Sequence, residues 1–162
     1  MNLHTVEPAR YRAVIGHFGT GVCVVTAEGP DGSVGMTANA VCSVSLDPLL
    51  LLVCFDNAAR TLPIVRETRR FGVNVLAAGQ EETARIFASK LPETEKFAGV
   101  GHRLHDGVPV IEGVLAWLGC HLTELVPAGD HVIGIGEVDV AEAGEGEPLL
   151  WYRGMFGRFA GS

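Results

Sequence analysis

The fold is decided by the stretch Gly35-Met36-Thr37-Ala38-Asn39-Ala40-Val41-Cys42-Ser43-Val44-Ser45-Leu46-Asp47-Pro48. It follows a turn, consists largely of small and hydroxyl-bearing residues, and ends at a proline. A strand that only filled a core would be rich in bulky β-branched and aromatic residues. The pattern predicts a strand whose backbone and short polar side chains lie bare along one edge, suited to a flat ligand with a polar rim. It is equally consistent with an ordinary strand whose hydroxyls face solvent.

The composition of the whole chain limits the classes of protein to which it can belong. The 162 residues show no break in composition, which predicts one domain over residues 1–162. A hydrophobic content of 48% and 21 glycines favour a compact, strand-rich domain with many tight turns. The formal net charge is −7 and the acidic residues are dispersed, so we expect no nucleic-acid partner and no anionic membrane partner.

The cysteines and the N-terminus indicate the compartment. No two cysteines form a C-x-x-C pair and each lies in an apolar run, which argues against zinc and disulfides and for free thiols in a reducing cytoplasm. They are Cys23, Cys42, Cys54 and Cys120. Met1 to Thr5 lacks a signal-peptide pattern, and no apolar segment reaches membrane-spanning length. We therefore expect a cytoplasmic protein that does not enter a membrane.

The flanking patterns predict mostly strands joined by hairpins. Helices are predicted over Pro8–Phe18, about Ala58–Glu67 with Asp56-Asn57 as its cap, and Gln80–Ser89. Strands are predicted over Val22–Ala27, Leu49–Phe55 (buried on both faces), Phe71–Leu76, Gly113–Leu125, Val132–Ala143 and Leu149–Arg153, with an irregular excursion over Leu91–Asp106. Helices are missing between most strands, so the pattern predicts a mainly antiparallel β-barrel with helices outside.

Motifs for common hydrolytic and metal chemistry are missing. The chain has no Gly-x-Ser-x-Gly elbow, no His-Glu-x-x-His and no phosphate-binding Walker loop. His102 and His105 lie in a Gly-rich segment with no third ligand nearby, so no metal is expected. Gly19-Thr20-Gly21 and Gly134-Ile135-Gly136 are interpreted as bends in strands.

Several groups suit an anionic, planar ligand instead. Arg60 and Thr61 lie at a predicted helix start, where free backbone N–H groups favour a phosphate. Lys90 and Lys96 are candidates for the same anion or are solvated surface charges. His131 follows Gly129-Asp130 and is either a site residue or an exposed turn histidine.

These residues in this order resemble the flavin reductase-like family, which has the FMN-binding split-barrel fold. The resemblance runs from about Tyr11 to Phe159. It is carried by Met-Thr-Ala-Asn at 36–39, Ser-Val-Ser-Leu-Asp-Pro at 43–48, Phe-Gly-Val-Asn-Val-Leu at 71–76 and Gly-Asp-His at 129–131. Phe156 stands where the family often has a tyrosine.

The resemblance implies an antiparallel split barrel of Greek-key type and a homodimer that binds FMN or FAD. It also implies NADH or NADPH as hydride donor and a separate monooxygenase that receives diffusible reduced flavin. The flavin contacts it implies are Thr37, Ala38, Asn39, Ser43, Val44, Ser45, Cys54, Phe55, Asp56, Arg60, Thr61, Phe87, Ala88 and Lys96. His131 is implied both as the catalytic residue and as a cofactor-binding residue, where the nicotinamide nucleotide approaches.

Two other functions stay open on the residues alone. One is a non-catalytic flavin-binding or haem-binding module on the same barrel, although haem requires an axial ligand. The other is an oxidase of the pyridoxamine-phosphate type, which calls for a richer basic cluster than Arg60, Lys90 and Lys96 provide.

Overall fold

The computed structural model describes residues 6–160. The N-terminal Met1–Thr5, in which no signal-peptide pattern is seen, lies outside the described residues. Within residues 6–160 the helices are α1 Pro8–Ile15, α2 Thr61–Thr68, α3 Glu81–Ala88 and α4 Glu93–Ala98. The strands are β1 Thr20–Gly21, β2 Cys23–Gly29, β3 Gly32–Ala38, β4 Val41–Leu46, β5 Leu49–Asp56, β6 Arg70–Val75, β7 His102–His105, β8 Val108–Ile111, β9 Ala116–Ala128, β10 His131–Ala143, β11 Leu149–Tyr152 and β12 Met155–Arg158.

The stretch 35–48 forms two strands rather than the one predicted. The main sheet has the order β3-β2-β6-β9-β10-β5-β4, so β3 and β4 are its opposite edges. Only Asn39 and Ala40 separate them. If a seven-stranded sheet were flat, its two edge strands would lie about 29 Å apart. The chain from Ala38 to Val41, which connects these edges, spans at most about 11 Å. The sheet must therefore curl, and the two edges meet at Asn39-Ala40, where the Cys54 N–H donates to the Ala40 carbonyl at 3.0 Å.

The predicted architecture is confirmed, because the chain is mostly β and every strand pairing within residues 6–160 is antiparallel. β1, β11 and β12 form a second small sheet, and β7 pairs with β8. No helix in residues 6–160 is long and apolar enough to cross a membrane.

Two local predictions are wrong. The segment Leu91–Asp106 is ordered into α4 and β7, because Lys96 and Phe97 are buried against the barrel. The strand Leu49–Phe55 is not buried on both faces. Leu51, Val53 and Phe55 face the core, while the alternate residues are half-exposed.

The core of the barrel accounts for the Gly134-Ile135-Gly136 pattern. The rings of Phe55 and Phe71 meet edge to face, with their centroids 6.0 Å apart. A Cβ at position 134 would lie 2.7 Å from the Phe55 ring, and one at position 136 would lie 2.6 Å from the Phe71 ring. Glycine on β10 is therefore required for these two aromatic rings to fill the barrel.

Candidate functional site

Two adjoining clefts open where the edges of the main sheet meet. The first cleft, about 1350 Å³, lies between α1, the 19–21 segment, the 39–42 corner, β5 and the turn between β11 and β12. The second cleft, about 700 Å³, lies between β3, α3 and β12. Asn39, Trp151 and Gly154 line both clefts, so they form a shared wall.

The structure brings part of the predicted site together in these clefts. Asn39, Cys54 and His131 line the first cleft. Thr37, Ala38 and Ala88 line the second, again with Asn39. The Thr37 hydroxyl donates to the Ala84 carbonyl at 2.7 Å, which ties β3 to α3 and sets the width of the second cleft.

His131 begins β10 and is held by its neighbour in the chain. Its Nδ1 lies 2.7 Å from Asp130 Oδ1. The hydrogen bond from His131, and then its charge, hold the pKa of Asp130 below its usual value. Because an ionised carboxylate only accepts, Nδ1 is the donor, which leaves Nε2 as the ring nitrogen available to a ligand.

Arg60 and Thr61 line neither of these two clefts, and their role at a phosphate stays a prediction. Arg60 immediately precedes α2 and donates to the Leu91 carbonyl, and its Nη2 lies 3.0 Å from Glu93 Oε1. Thr61 is buried. The predicted cap is also different, because Asp56 accepts from the Ala58 N–H in the turn that precedes the helix.

Lys96 also lies away from both clefts. Its side chain is buried, and Nζ is 3.1 Å from Glu93 Oε1 and 3.3 Å from the Gly35 carbonyl. Glu93 Oε2 in turn accepts from the Gly35 N–H at 2.9 Å. The Glu93 carboxylate thus joins α4, β3 and the start of α2, and it pairs with both cations.

The remaining predicted flavin contacts line neither cleft in one chain. Phe55 and Phe87 are core residues. Asp56 ends β5 and is exposed. Ser43, Val44 and Ser45 lie on the edge strand β4, where a register shift occurs between Ser43 and Ser45.

The structure adds site residues that the sequence pattern did not reveal. Thr20 lines the first cleft, and its hydroxyl is buried with no hydrogen-bond partner in residues 6–160. Trp151 contributes to the shared wall, and Arg85 and Phe156 line the second cleft. The one sequence signal near these residues is Gly19-Thr20-Gly21, and that pattern predicts only a bend.

Arg153 also reaches the first cleft, from an unusual backbone conformation. It occupies the turn between β11 and β12 with φ 49°, followed by Gly154 with φ 79°. Such hairpin turns favour Asn or Gly at the first of these positions. Its N–H donates to the Gly16 carbonyl at 3.0 Å, which ties the turn to the end of α1.

The thiols at the clefts are suited to packing rather than to chemistry. Cys23 and Cys54 line the first cleft. Burial raises the pKa of Cys23 to about 11 and also raises the pKa of Cys54. Both are therefore neutral at physiological pH and are poor nucleophiles.

Comparison with known proteins identifies the protein family that has this architecture. Residues 15–160 match the family model described as a flavin reductase like domain. The chain belongs to the flavin reductase-like family. The family and the fold inferred from the motifs at 36–48, 71–76 and 129–131 are thereby confirmed.

Named relatives and a solved structure agree with this flavin reductase-like assignment. A flavin reductase of Pseudomonas putida is 43% identical, over 96% of this chain and 92% of its own length. A second relative, from Rhodococcus opacus, is 38% identical over 97% of this chain and 84% of its own length. It is named as the reductase component of 4-nitrophenol 4-monooxygenase/4-nitrocatechol 2-monooxygenase. The Streptomyces globisporus C-1027 NADH:FAD oxidoreductase SgcE6, solved with NAD and FAD fragments, superposes with a TM-score of 0.90 at 40% identity, covering 97% of each chain.

Proposed function

We propose that this flavin reductase-like protein is an NAD(P)H:flavin oxidoreductase. It transfers a hydride from NADH or NADPH to FMN or FAD and releases reduced flavin for a separate monooxygenase. The observation that carries the proposal is the pair of adjoining clefts with one shared wall. That arrangement suits a ring system in one cleft whose chain and phosphate continue into the other.

The residues present fit a flavin. Thr20 offers a buried hydroxyl that lacks a partner among the described residues, which is what a polar-rimmed ligand would satisfy. Trp151 and Cys54 supply apolar wall, and Asn39 supplies an amide at the corner where the clefts meet. This mixture of apolar surface with a few placed polar groups is typical of cofactor sites.

In the proposed assignment Thr37, Ala38, Asn39 and Ala88 hold the flavin, and Cys54 and Thr20 wall the space beside it. A flavin in that site supplies the hydride-accepting chemistry. The chain's own task is to align two flat groups and exclude water. No strong acid or base is needed for this, in keeping with the small neutral side chains of Thr37–Asn39.

His131 is proposed to contact the nicotinamide nucleotide. It lines the first cleft beside Cys54, on the strand next to β5. The hydrogen bond to Asp130 restrains its ring while Nε2 stays available. Arg153 and Arg12 line the same cleft and are cations that suit an anionic dinucleotide.

A homodimer is proposed to complete the first cleft. Apolar side chains are exposed on β4 and β5, with Leu46 89%, Leu49 50% and Val44 48% exposed, and α1 buries none of its residues. A monomer seldom leaves so much apolar surface open unless it is an interface. Because α1 and Cys42 of β4 both line the first cleft, a second copy on this surface would also wall the site. It would bring a partner towards Ser43, Val44 and Ser45, the predicted contacts that one chain leaves open.

The dimer is tested by sedimentation of wild type and Leu46→Asp. We expect wild type to sediment as a dimer, and Leu46→Asp to shift towards monomer with loss of reductase activity. Leu104→Asp is the matched control, because Leu104 is 55% exposed on β7, away from both clefts. A monomeric wild type with full activity would contradict the dimer.

The proposed activity is tested by oxidation of NADH and NADPH in air with added FMN, FAD or riboflavin. We expect turnover that saturates with increasing flavin concentration. The nucleotide and the flavin that react fastest together identify the two preferred substrates. Tight flavin binding without turnover would favour a binding module or an amine oxidase instead.

The receiving oxygenase and the compartment belong to the same proposal. The relative from Rhodococcus opacus, named as the reductase component of a monooxygenase, supports a separate oxygenase that takes the reduced flavin. All four cysteines are free thiols, which supports a reducing cytoplasm.

A further inference from the structure

We propose that Arg85 makes this protein prefer phosphorylated flavins, FMN and FAD, over riboflavin by pairing with the flavin phosphate in the second cleft. The inference rests on the proposed function. It concerns a residue that neither the sequence motifs nor the predicted phosphate site singled out.

Arg85 is the cation of the second cleft. Among residues 6–160 it is the only positively charged side chain that lines this cleft. The polar groups around it, on Thr37 and Asn39, are neutral. Any anionic group of a ligand that enters from the Asn39 corner therefore meets Arg85 as its one opposite charge.

The guanidinium is held in place by an aromatic platform. It lies 5.2 Å from the centre of the Phe156 ring, and that ring packs against Trp151 with centroids 5.0 Å apart. Both rings line the second cleft. A guanidinium carbon over an aromatic ring leaves N–H groups free to donate, and these form the fork that matches a phosphate.

The existing partner of Arg85 is weak and replaceable. Arg85 Nη1 lies 3.4 Å from Glu82, one turn earlier on α3, and the side chains are 61% and 76% exposed. Pairs so exposed contribute little to stability because water and salt screen them. A phosphate offers two parallel charge-assisted hydrogen bonds in place of this single long contact.

The other candidate cations are committed or distant. Glu93 engages both Arg60 and Lys96. Lys90 is exposed and lines neither cleft. None of the three cations considered for the phosphate from sequence lines the second cleft, which leaves Arg85.

The test compares FMN and riboflavin binding, without nicotinamide nucleotide, in wild type, Arg85→Ala and Arg103→Ala. Arg103 is a matched control: it lies over the Trp117 ring at 5.7 Å, pairs with Glu142 at 3.5 Å, and lines neither cleft. We expect Arg85→Ala to weaken FMN binding about tenfold while riboflavin changes by less than about twofold. Arg103→Ala should change neither. The FMN affinity of Arg85→Lys should lie between those of wild type and Arg85→Ala, because lysine keeps the charge but lacks the planar fork.

Three outcomes overturn the inference alone, while wild type still binds and reduces flavin. Equal weakening of FMN and riboflavin by Arg85→Ala would show a structural role. An equal loss of FMN binding in Arg103→Ala would show a general charge effect. A loss in Lys90→Ala but not in Arg85→Ala would move the phosphate site. Failure of wild type to bind either flavin would instead overturn the proposed function and the inference with it.

Discussion

The carboxylate of Asp130 and the imidazole of His131 lie 2.7 Å apart at the turn that begins β10, with His131 on the wall of the first cleft. This hydrogen bond joins two residues that are adjacent in the turn. It engages Nδ1 of the ring and leaves Nε2 as the nitrogen available to a ligand.

We expect His131→Ala to raise the KM for the nicotinamide nucleotide about tenfold while the Kd for FMN changes by less than about twofold. The reason is that His131 lines only the first cleft, whereas Thr37, Ala38 and Ala88, which are proposed to hold the flavin, line only the second. Steady-state kinetics and flavin titration measure the two effects. Asp130→Asn, which loses only the charge that orients the ring, should give a smaller rise in KM. An unchanged KM in His131→Ala would contradict the assignment.

Glu93 is expected to be a structural residue. Its carboxylate meets Lys96 Nζ, Arg60 Nη2 and the Gly35 N–H, and its side chain is only 14% exposed. Glu93→Gln leaves the buried Lys96 charge without its partner, so we expect a loss of about 3 kcal/mol in the free energy of unfolding. Urea unfolding measures it. Glu82→Gln, which breaks the exposed pair with Arg85, should cost less than about 1 kcal/mol. Equal losses in the two variants would contradict the structural role of Glu93.

Gly136 is expected to tolerate no side chain. A Cβ there would lie 2.6 Å from Phe71 Cζ and 3.1 Å from Cys120 Cβ. We expect Gly136→Ala to destabilise the fold by about 2 kcal/mol through overpacking. Gly157→Ala is the control, because Gly157 also lies in a strand and a Cβ there meets nothing within 4 Å. Thermal or urea unfolding compares them, and an equally stable Gly136→Ala would show that the Phe71 ring moves aside.

Buried thiols predict a loss of stability at alkaline pH. Burial raises the pKa of Cys23 to about 11, and burial with the charge of Asp139 raises that of Cys120 to about 12. In the unfolded chain a thiol ionises near pH 8.5, at about its ordinary pKa. A raised pKa in the folded state contributes stability that is complete below the unfolded pKa and is lost as pH rises towards the folded one.

We therefore expect the free energy of unfolding to fall between about pH 9 and 11, by about 1.4 kcal/mol per pH unit for each thiol. Urea unfolding over this range measures the slope. Cys23→Ala should reduce this slope by the contribution of one thiol, about 1.4 kcal/mol per pH unit. Equal slopes in wild type and Cys23→Ala would contradict the assignment.

The fold was largely predictable because hairpin signals are local. Turns such as Gly29-Pro30-Asp31-Gly32 and Gly129-Asp130 mark strand ends directly, and all the strand pairings are antiparallel. What the pattern could not show is that β3 and β4 are opposite edges of one sheet. Strand order depends on pairings made far along the chain, so one polar stretch was interpreted as one strand.

The sequence predicts a site residue correctly where the residue's own strand or turn is enough to place it at a cleft. Thr37, Asn39 and His131 reach the clefts because strand alternation and a turn place them there. The helix start predicts Arg60 as a phosphate ligand, but it does not reveal the ion pair with Glu93, which lies 33 positions later (93 − 60). Two other features likewise arise only from tertiary packing: the Thr20 hydroxyl, which has no partner within residues 6–160, and the position of Arg85 over the Phe156 ring.

The central claim is that this chain passes a hydride from a nicotinamide nucleotide to flavin. The most direct measurement is an anaerobic reaction of NADH and FMN in which loss of the flavin's visible absorbance is followed against protein concentration. The account predicts reduction of one flavin for each NADH consumed, at a rate proportional to protein. Bound flavin that stays oxidised with both NADH and NADPH would contradict it.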